Sequence, residues 1–164
     1  MTMLLDTDRL FAQAEQVAAD ETARIESSAI SAITFYWGGE YYGLPLADVR
    51  EVAKVGPIAP LPGLPPTLLG AMNLHGEVIA VADLRPVLGL DPIPPTPTAR
   101  LIIVTQHAER VGLIVDAIGD IFELPALDRD AATPDLILGR TLLANGRLLN
   151  LIDLPRALTT LAEG

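Results

Sequence analysis

Gly76-Glu77-Val78-Ile79-Ala80-Val81-Ala82-Asp83-Leu84 aligns residue for residue with Gly146-Arg147-Leu148-Leu149-Asn150-Leu151-Ile152-Asp153-Leu154, at an offset of 70. In each stretch a turn glycine opens an apolar strand, and the strand ends in an aspartate able to cap a helix that follows. Pro86 and Pro155 then fall in the first helical turn, where no intrahelical N–H is needed. Upstream, Gly43-Leu44 matches Gly112-Leu113, and Val49 to Val52 matches Ile118 to Ile121. Three matches in register predict two similar β subdomains. Short turns and early switches between strands favour small barrels over a doubly wound sheet. Recurrence at one structural place favours capping over catalysis for Asp83 and Asp153.

Outward from the repeat, Ile33 to Trp37 alternates and is rich in β-branched and aromatic residues, so it reads as a strand. Gly38-Gly39 is a hairpin turn, and Tyr41 to Pro45 returns. Ala47 to Val52 reads as a short helical turn leading into a strand, and Pro57 to Pro66 as a proline-punctuated loop. Leu68 to Leu74 and Glu77 to Ala82 are strands joined at His75-Gly76, and Asp83 to Leu88 is a short helix. Pro92 to Pro97 is a stiff extended linker. Arg100 to Gln106 and Arg110 to Ile118 are strands around a turn at His107-Ala108-Glu109, and Ile121 to Leu124 continues the sheet. After a polar loop, Asp128 to Pro134, the strands Leu136 to Leu143 and Arg147 to Ile152 meet at Asn145-Gly146, a type I′ signal. Asp153 to Leu161 closes the chain as a helix. Near the start, Leu10, Ala14, Val17, Ala18 and Ile25 share one face, which predicts a helix over Thr7 to Glu26. We divide the chain into an N-terminal helical extension, 1–30, and a β domain, 31–164.

The chain has 164 residues, half of them apolar, enough for one domain with a core. Its net charge of −10 makes nucleic acid or an anionic membrane surface a poor partner. No cysteine is present, so there is no disulfide, thiol nucleophile or Cys-ligated metal. Histidine occurs only at His75 and His107, without metal-ligand spacing, and serine only at Ser27, Ser28 and Ser31, outside any nucleophile elbow. Lys54, the only lysine, has no phosphate-loop glycines before it. We expect no cofactor, no metal and no catalytic residue. Met1 to Arg9 lacks the regions of a secretory signal, and no apolar run is long enough to span a bilayer, so the expected location is cytoplasmic.

These pieces together resemble a CheW-like domain from about Ile33 to Leu161. Phe35 through Pro45 resembles the family's opening hairpin, and Val49-Arg50-Glu51-Val52 its Val-x-Glu-Val element. Leu61-Pro62-Gly63-Leu64-Pro65 resembles the proline loop, and Gly70-Ala71-Met72-Asn73-Leu74-His75-Gly76 the Gly-x-x-Asn-Leu-Arg-Gly turn. Val78 to Arg85 resembles the strand ending in Asp-Leu-Arg, and Val111 to Asp116 the second-half strand. The resemblance implies a mainly β fold of two intertwined five-stranded SH3-like barrels. It also implies a non-catalytic adaptor that couples a chemoreceptor's cytoplasmic tip to the regulatory domain of a CheA-type histidine kinase. Such adaptors act in membrane-associated sensory arrays, where ring assembly is possible. Two positions depart from the pattern: His75 stands for the usual Arg, and Ala80 for the usual Pro. An Arg supplies a permanent charge and a bidentate fork that His does not.

By this resemblance the coupling surface comprises Val49, Glu51, Gly70, Asn73, His75, Gly76 and Val115. Val49 and Val115 are apolar contacts or core; Gly70 and Gly76 serve tight turns. Asp83, Arg85 and Asp116 read as a structural charge network, and Asp153 as a structural cap. Val49→Asp or Gly70→Asp is expected to abolish partner binding and leave the fold largely intact. Two alternatives stand beside the adaptor. One is a CheW-like scaffold of a pilus-motility or other non-flagellar chemosensory system. The other is a carboxylate-dependent hydrolase with a cleft between the barrels, which requires two carboxyls converging in one pocket.

Overall fold

The hairpin nearest the start sets the pattern. Strand β1 (Ile30–Trp37) and β2 (Glu40–Pro45) are antiparallel and joined at Gly38-Gly39. Both glycines have positive φ, +57° and +86°, as a type I′ turn needs. The computed structural model describes residues 30–91, 94–124, 127–129 and 133–163. The helix expected over Thr7 to Glu26 therefore lies outside the described residues, as does part of the proline linker. A 3-10 turn (Leu46–Asp48) leads into β3 (Val49–Lys54), followed by β4 (Leu68–Leu74) and β5 (Glu77–Ala82). A second 3-10 turn (Pro86–Leu88) precedes β6 (Arg100–Gln106), β7 (Glu109–Val115) and β8 (Ala117–Leu124). Then come β9 (Ile137–Leu142), β10 (Leu148–Ile152) and helix α1 (Leu154–Glu163).

The strands form two five-stranded sheets, β3-β6-β7-β5-β4 and β8-β1-β2-β10-β9. Each closes on itself through a pair of backbone bonds beyond its first strand. Ala59 pairs with Ala71 of β4, with N···O distances of 2.8 and 3.0 Å. Asp128 pairs with Arg140 of β9, both at 2.8 Å. We call these the first and second barrels. The chain begins the second with β1 and β2, builds the whole first barrel, then returns with β8, β9 and β10, so the two are intertwined. Each contains one parallel pair, and the registers are equivalent: Val81 lies opposite Gly112 as Leu151 lies opposite Gly43. The alignment seen in the sequence is thus a structural superposition.

Apolar residues divide among three cores. Leu101 and Ile103 of β6 pack inside the first barrel with Met72, Ile79, Val81 and Ile114. Ala32, Tyr41, Leu124, Leu149 and Leu151 pack inside the second. Between the barrels, Phe35, Trp37, Tyr42 and Leu44 meet Ile102, Val104, Leu113 and Val115, with α1 contributing Leu154, Ala157 and Leu158. Strands with both faces buried read as continuous apolar runs, which is why Leu101 to Val104 does not alternate. Trp37 Nε1 donates to Ile114 O at 2.9 Å across the junction, so the largest core side chain leaves no unpaired donor.

Three local expectations change. The strand expected from Arg110 to Ile118 is two strands, because the chain bends at Asp116 and crosses from one barrel to the other. The expected helix after Asp83 is only a 3-10 turn. Asn145-Gly146 is not a type I′ turn, since Gly146 alone has positive φ, +81°. Gly146 N instead donates to Leu143 O and Leu143 N to Arg147 O, giving a longer loop. His75-Gly76 and His107-Ala108 are the other connections with two positive φ values.

Candidate functional site

A bulge in β3 sets the site. Val49 pairs with Val104 and Glu51 with Ile103, so Arg50 is the extra residue. A bulge breaks the rule that residues two apart share a face. Val49 turns into the inter-barrel core while Glu51 reaches the β4–β5 turn. There His75 Nε2 lies 2.9 Å from Glu51 Oε1. His75 is 66% exposed and Glu51 17%. Asn73 Oδ1 accepts the Gly76 N–H at 2.9 Å and fixes the turn, with His75 at φ +52°. A polar contact this exposed contributes about 0–1 kcal/mol, so its role is placement rather than stability.

The other expected contacts are elsewhere. Val49 and Val115 are 2% and 1% exposed and present no apolar surface to a partner. Gly70 is buried, with φ +145°, and a Cβ there would lie 2.2 Å from Ala59 O of the barrel-closing pair. Val49→Asp and Gly70→Asp would therefore disrupt packing and barrel closure, and the expectation of an intact fold does not hold. The exposed apolar residue beside the turn is Val78, opposite Asn73 and 72% exposed. Sequence reading missed it. The signal was strand alternation, since Ile79 and Val81 point inward and leave Val78 on the outer face.

Asp83, Arg85 and Asp116 are brought together. Arg85 Nε lies 3.0 and 3.1 Å from the two Asp83 carboxylate oxygens, its Nη2 2.8 Å from Oδ2, and its Nη1 3.1 Å from Asp116 Oδ1. Arg85 is 3% exposed and Asp83 1%. Burial opposes the guanidinium charge, but the hydrogen bonds and charges of Asp83 and Asp116 outweigh it and raise the Arg85 pKa. Asp116 Oδ2 also accepts the Gly38 N–H at 2.8 Å, tying the β7–β8 bend to the β1–β2 hairpin. The group joins the barrels. Asp153, the counterpart of Asp83, accepts from Arg156 N at 3.2 Å as the cap of α1.

Among the described residues, no group of three or more His, Asp or Glu is placed to hold a metal ion. No described helix is long and apolar enough to cross a membrane. One cleft contains Glu40 with Arg140 and Arg147, and another Asp48 with Arg50 and His107. Burial first, and the charge of Asp153 second, push Asp48 up. A smaller cleft has Glu40 and Asp91 beside Arg85. Both of these acids lie at the surface, and Tyr42 Oη donates to Glu40 Oε2 at 2.7 Å. Neither carboxyl in that cleft is buried, whereas burial is what keeps a carboxyl available as a general acid.

Residues 31–162 match the model of the CheW-like domain. The chain belongs to the CheW-like family. It is 37% identical over 131 residues to a chemotaxis protein CheW of Rhizobium meliloti, covering 74% of this chain and 83% of that protein. It is 30% identical over 127 residues to the chemotaxis protein CheW of Bacillus subtilis, covering 74% and 81%. Among solved structures, the scaffolding protein TtCheW from Thermoanaerobacter tengcongensis superposes with a TM-score of 0.68 at 26% identity, over 76% of this chain and 89% of that one. The CheW-like fold of two intertwined barrels is what the strand pairing above describes.

Proposed function

We propose that this CheW-like chemotaxis adaptor joins a chemoreceptor's cytoplasmic tip to the regulatory domain of a CheA-type histidine kinase at an array in the cytoplasm, and catalyses nothing itself. The observation that carries the reading is the contact of Glu51 on β3 with the exposed His75 of the β4–β5 turn, with Val78 beside it. An adaptor surface of this kind needs a small apolar anchor within a polar rim, both pre-positioned on strands. Asn73 and Gly76 shape the turn, while Val49, Gly70 and Val115 act from beneath by holding β3, β4 and β7 in place.

Calorimetric titration with the kinase regulatory domain and the receptor tip of the same organism tests this. Wild type is expected to bind at micromolar affinity or tighter, about −8 kcal/mol. Glu51→Lys is expected to weaken binding about tenfold, and His75→Arg to retain it. No binding to either partner, or unchanged binding by both Glu51→Lys and His75→Glu, overturns the reading. Binding only to the kinase of a pilus-driven system would keep the adaptor and change its output.

A further inference from the structure

The second barrel carries a cleft of about 500 Å³ that the coupling surface does not use. Strands β2, β9 and β10 supply Tyr42, Ile137, Arg140, Leu148 and Asn150, and the β9–β10 loop supplies Arg147. We propose that this cleft binds a carboxylate flanked by apolar groups, on an acidic segment of a partner polypeptide. The site does not rest on the adaptor reading, since it lies on the other barrel.

The chain has 21 acidic and 11 basic residues, so an arginine has many potential acidic partners. Arg85, Arg110 and Arg156 each have at least one. Among the described residues Arg50, Arg100, Arg129, Arg140 and Arg147 form no ion pair, and of these Arg140 and Arg147 line one cleft together. Both are nevertheless held in place. Arg140 donates through Nε to Asn150 Oδ1 at 2.8 Å, which leaves its two terminal nitrogens available. Arg147 lies over the rings of Tyr36 and Tyr41, 5.1 and 5.2 Å from their centroids, and donates through Nη2 to Gly39 O at 3.3 Å. Two pre-positioned guanidinium groups with free donors are suited to a carboxylate.

The lining also limits the ligand. Glu40 contributes one negative charge, its oxygen already bonded by Tyr42. Two cations and one anion leave a single net positive charge, which matches one carboxylate better than a doubly charged phosphate. Ile137 and the half-exposed Leu148 form an apolar wall, and Leu142, paired with Leu148, extends it at 69% exposure. Register rules out a by-product of the repeat. Where the second barrel pairs Arg140 with Asn150 and Asn150 with Tyr42, the first pairs Ala71 with Ala80 and Ala80 with Val111. The backbone is kept and the arginine cleft occurs once.

The test is a nuclear magnetic resonance titration of the full isotope-labelled chain with acetyl-Leu-Glu-Leu-amide, its Leu-Gln-Leu counterpart, free butyrate and inorganic phosphate. The Glu peptide is expected to shift the Nε–H resonances of Arg140 and Arg147 and the amides of Leu148 and Asn150. The Gln peptide should bind about tenfold more weakly. Arg140→Gln should weaken the Glu peptide by a similar factor while the thermal midpoint is kept, and Arg147→Gln serves as the second variant if the first does not fold. A peptide that binds more tightly than butyrate supports a polypeptide source, and equal affinities overturn it in favour of a small carboxylate. Equal binding of the Glu and Gln peptides, stronger binding of phosphate, or no shift at the two arginines overturns the proposal.

Discussion

The two barrels carry different chemistry on one backbone. Glu77 in the first meets Arg110 across 3.6 Å; its counterpart Arg147 in the second stacks on Tyr41, which stands where Arg110 does. Asp83 is buried under Arg85, whereas Asp153 is a partly exposed helix cap. Gly70 and Gly139 occupy the same place beside the closing bridge; a Cβ at Gly70 would lie 2.2 Å from Ala59 O, and one at Gly139 2.7 Å from Leu127 Cβ. Features present twice serve the backbone: the closing bridges, the glycines beside them and the parallel pair. Features present once serve the junction between barrels or a partner: the Arg85 hub, the Glu51–His75 pair and the arginine cleft.

The largest break in this comparison comes from Asp83→Ala set against Asp153→Ala. The first removes one of the two carboxylates that hold a buried guanidinium, leaving Asp116, and should cost about 3 kcal/mol. The second removes a cap and should cost about 1 kcal/mol. Urea denaturation of both variants reads the difference, and equal costs would show that the hub does not bear on stability.

Gly70→Ala and Gly139→Ala come next. The first meets a backbone oxygen and a left-handed φ and should cost about 3 kcal/mol. The second meets Leu127 Cβ and, at 3.1 Å, Asp128 O, but at an ordinary φ, and should cost about 2 kcal/mol. The same melts decide this, and a milder Gly70 variant would mean that the first barrel closes without its bridge.

Smaller still is Arg147→Gln, which loses a cation–π contact worth about 0.5–1 kcal/mol, against Glu77→Gln, whose exposed pair is worth less than about 0.5 kcal/mol. Thermal melts at low and high salt separate them, since salt should erase only the Glu77 effect.

The smallest effect is a pH dependence. Burial and Asp153 raise Asp48 in the folded state, so its carboxylate form is disfavoured there. Its contribution is present when the group is protonated in both states, below its unfolded value, and is lost as pH rises through the raised folded value. Asp48→Asn should therefore slightly stabilise the protein at neutral pH and leave it unchanged near pH 3. A stabilisation that persists in acid would contradict that sign.

Much of the frame was legible because it is local. Leu68 to Leu74 and Glu77 to Ala82 were read with their observed ends, since a turn glycine and β-branched runs act over a few residues. The repeat was legible because equivalent backbone positions demand equivalent residue types. Asn145-Gly146 misled, because the type of a turn also depends on the register of the strands it joins, and a longer loop fits β9 to β10.

What the sequence determined by itself was the two-barrel β architecture, the repeat register, the capping Asp153 and the exposed His75 turn. Each follows from short-range sterics and hydrogen bonding. Only the tertiary structure decided which apolar residues are surface and which are core. Val49 and Val78 look alike in the chain, yet a single bulge and the packing of one barrel on the other bury the first and expose the second. The same holds for charge. Arg85 and Arg140 are the same residue type, but tertiary structure adds Asp116 to the nearby Asp83 around the first and leaves the second facing a cleft.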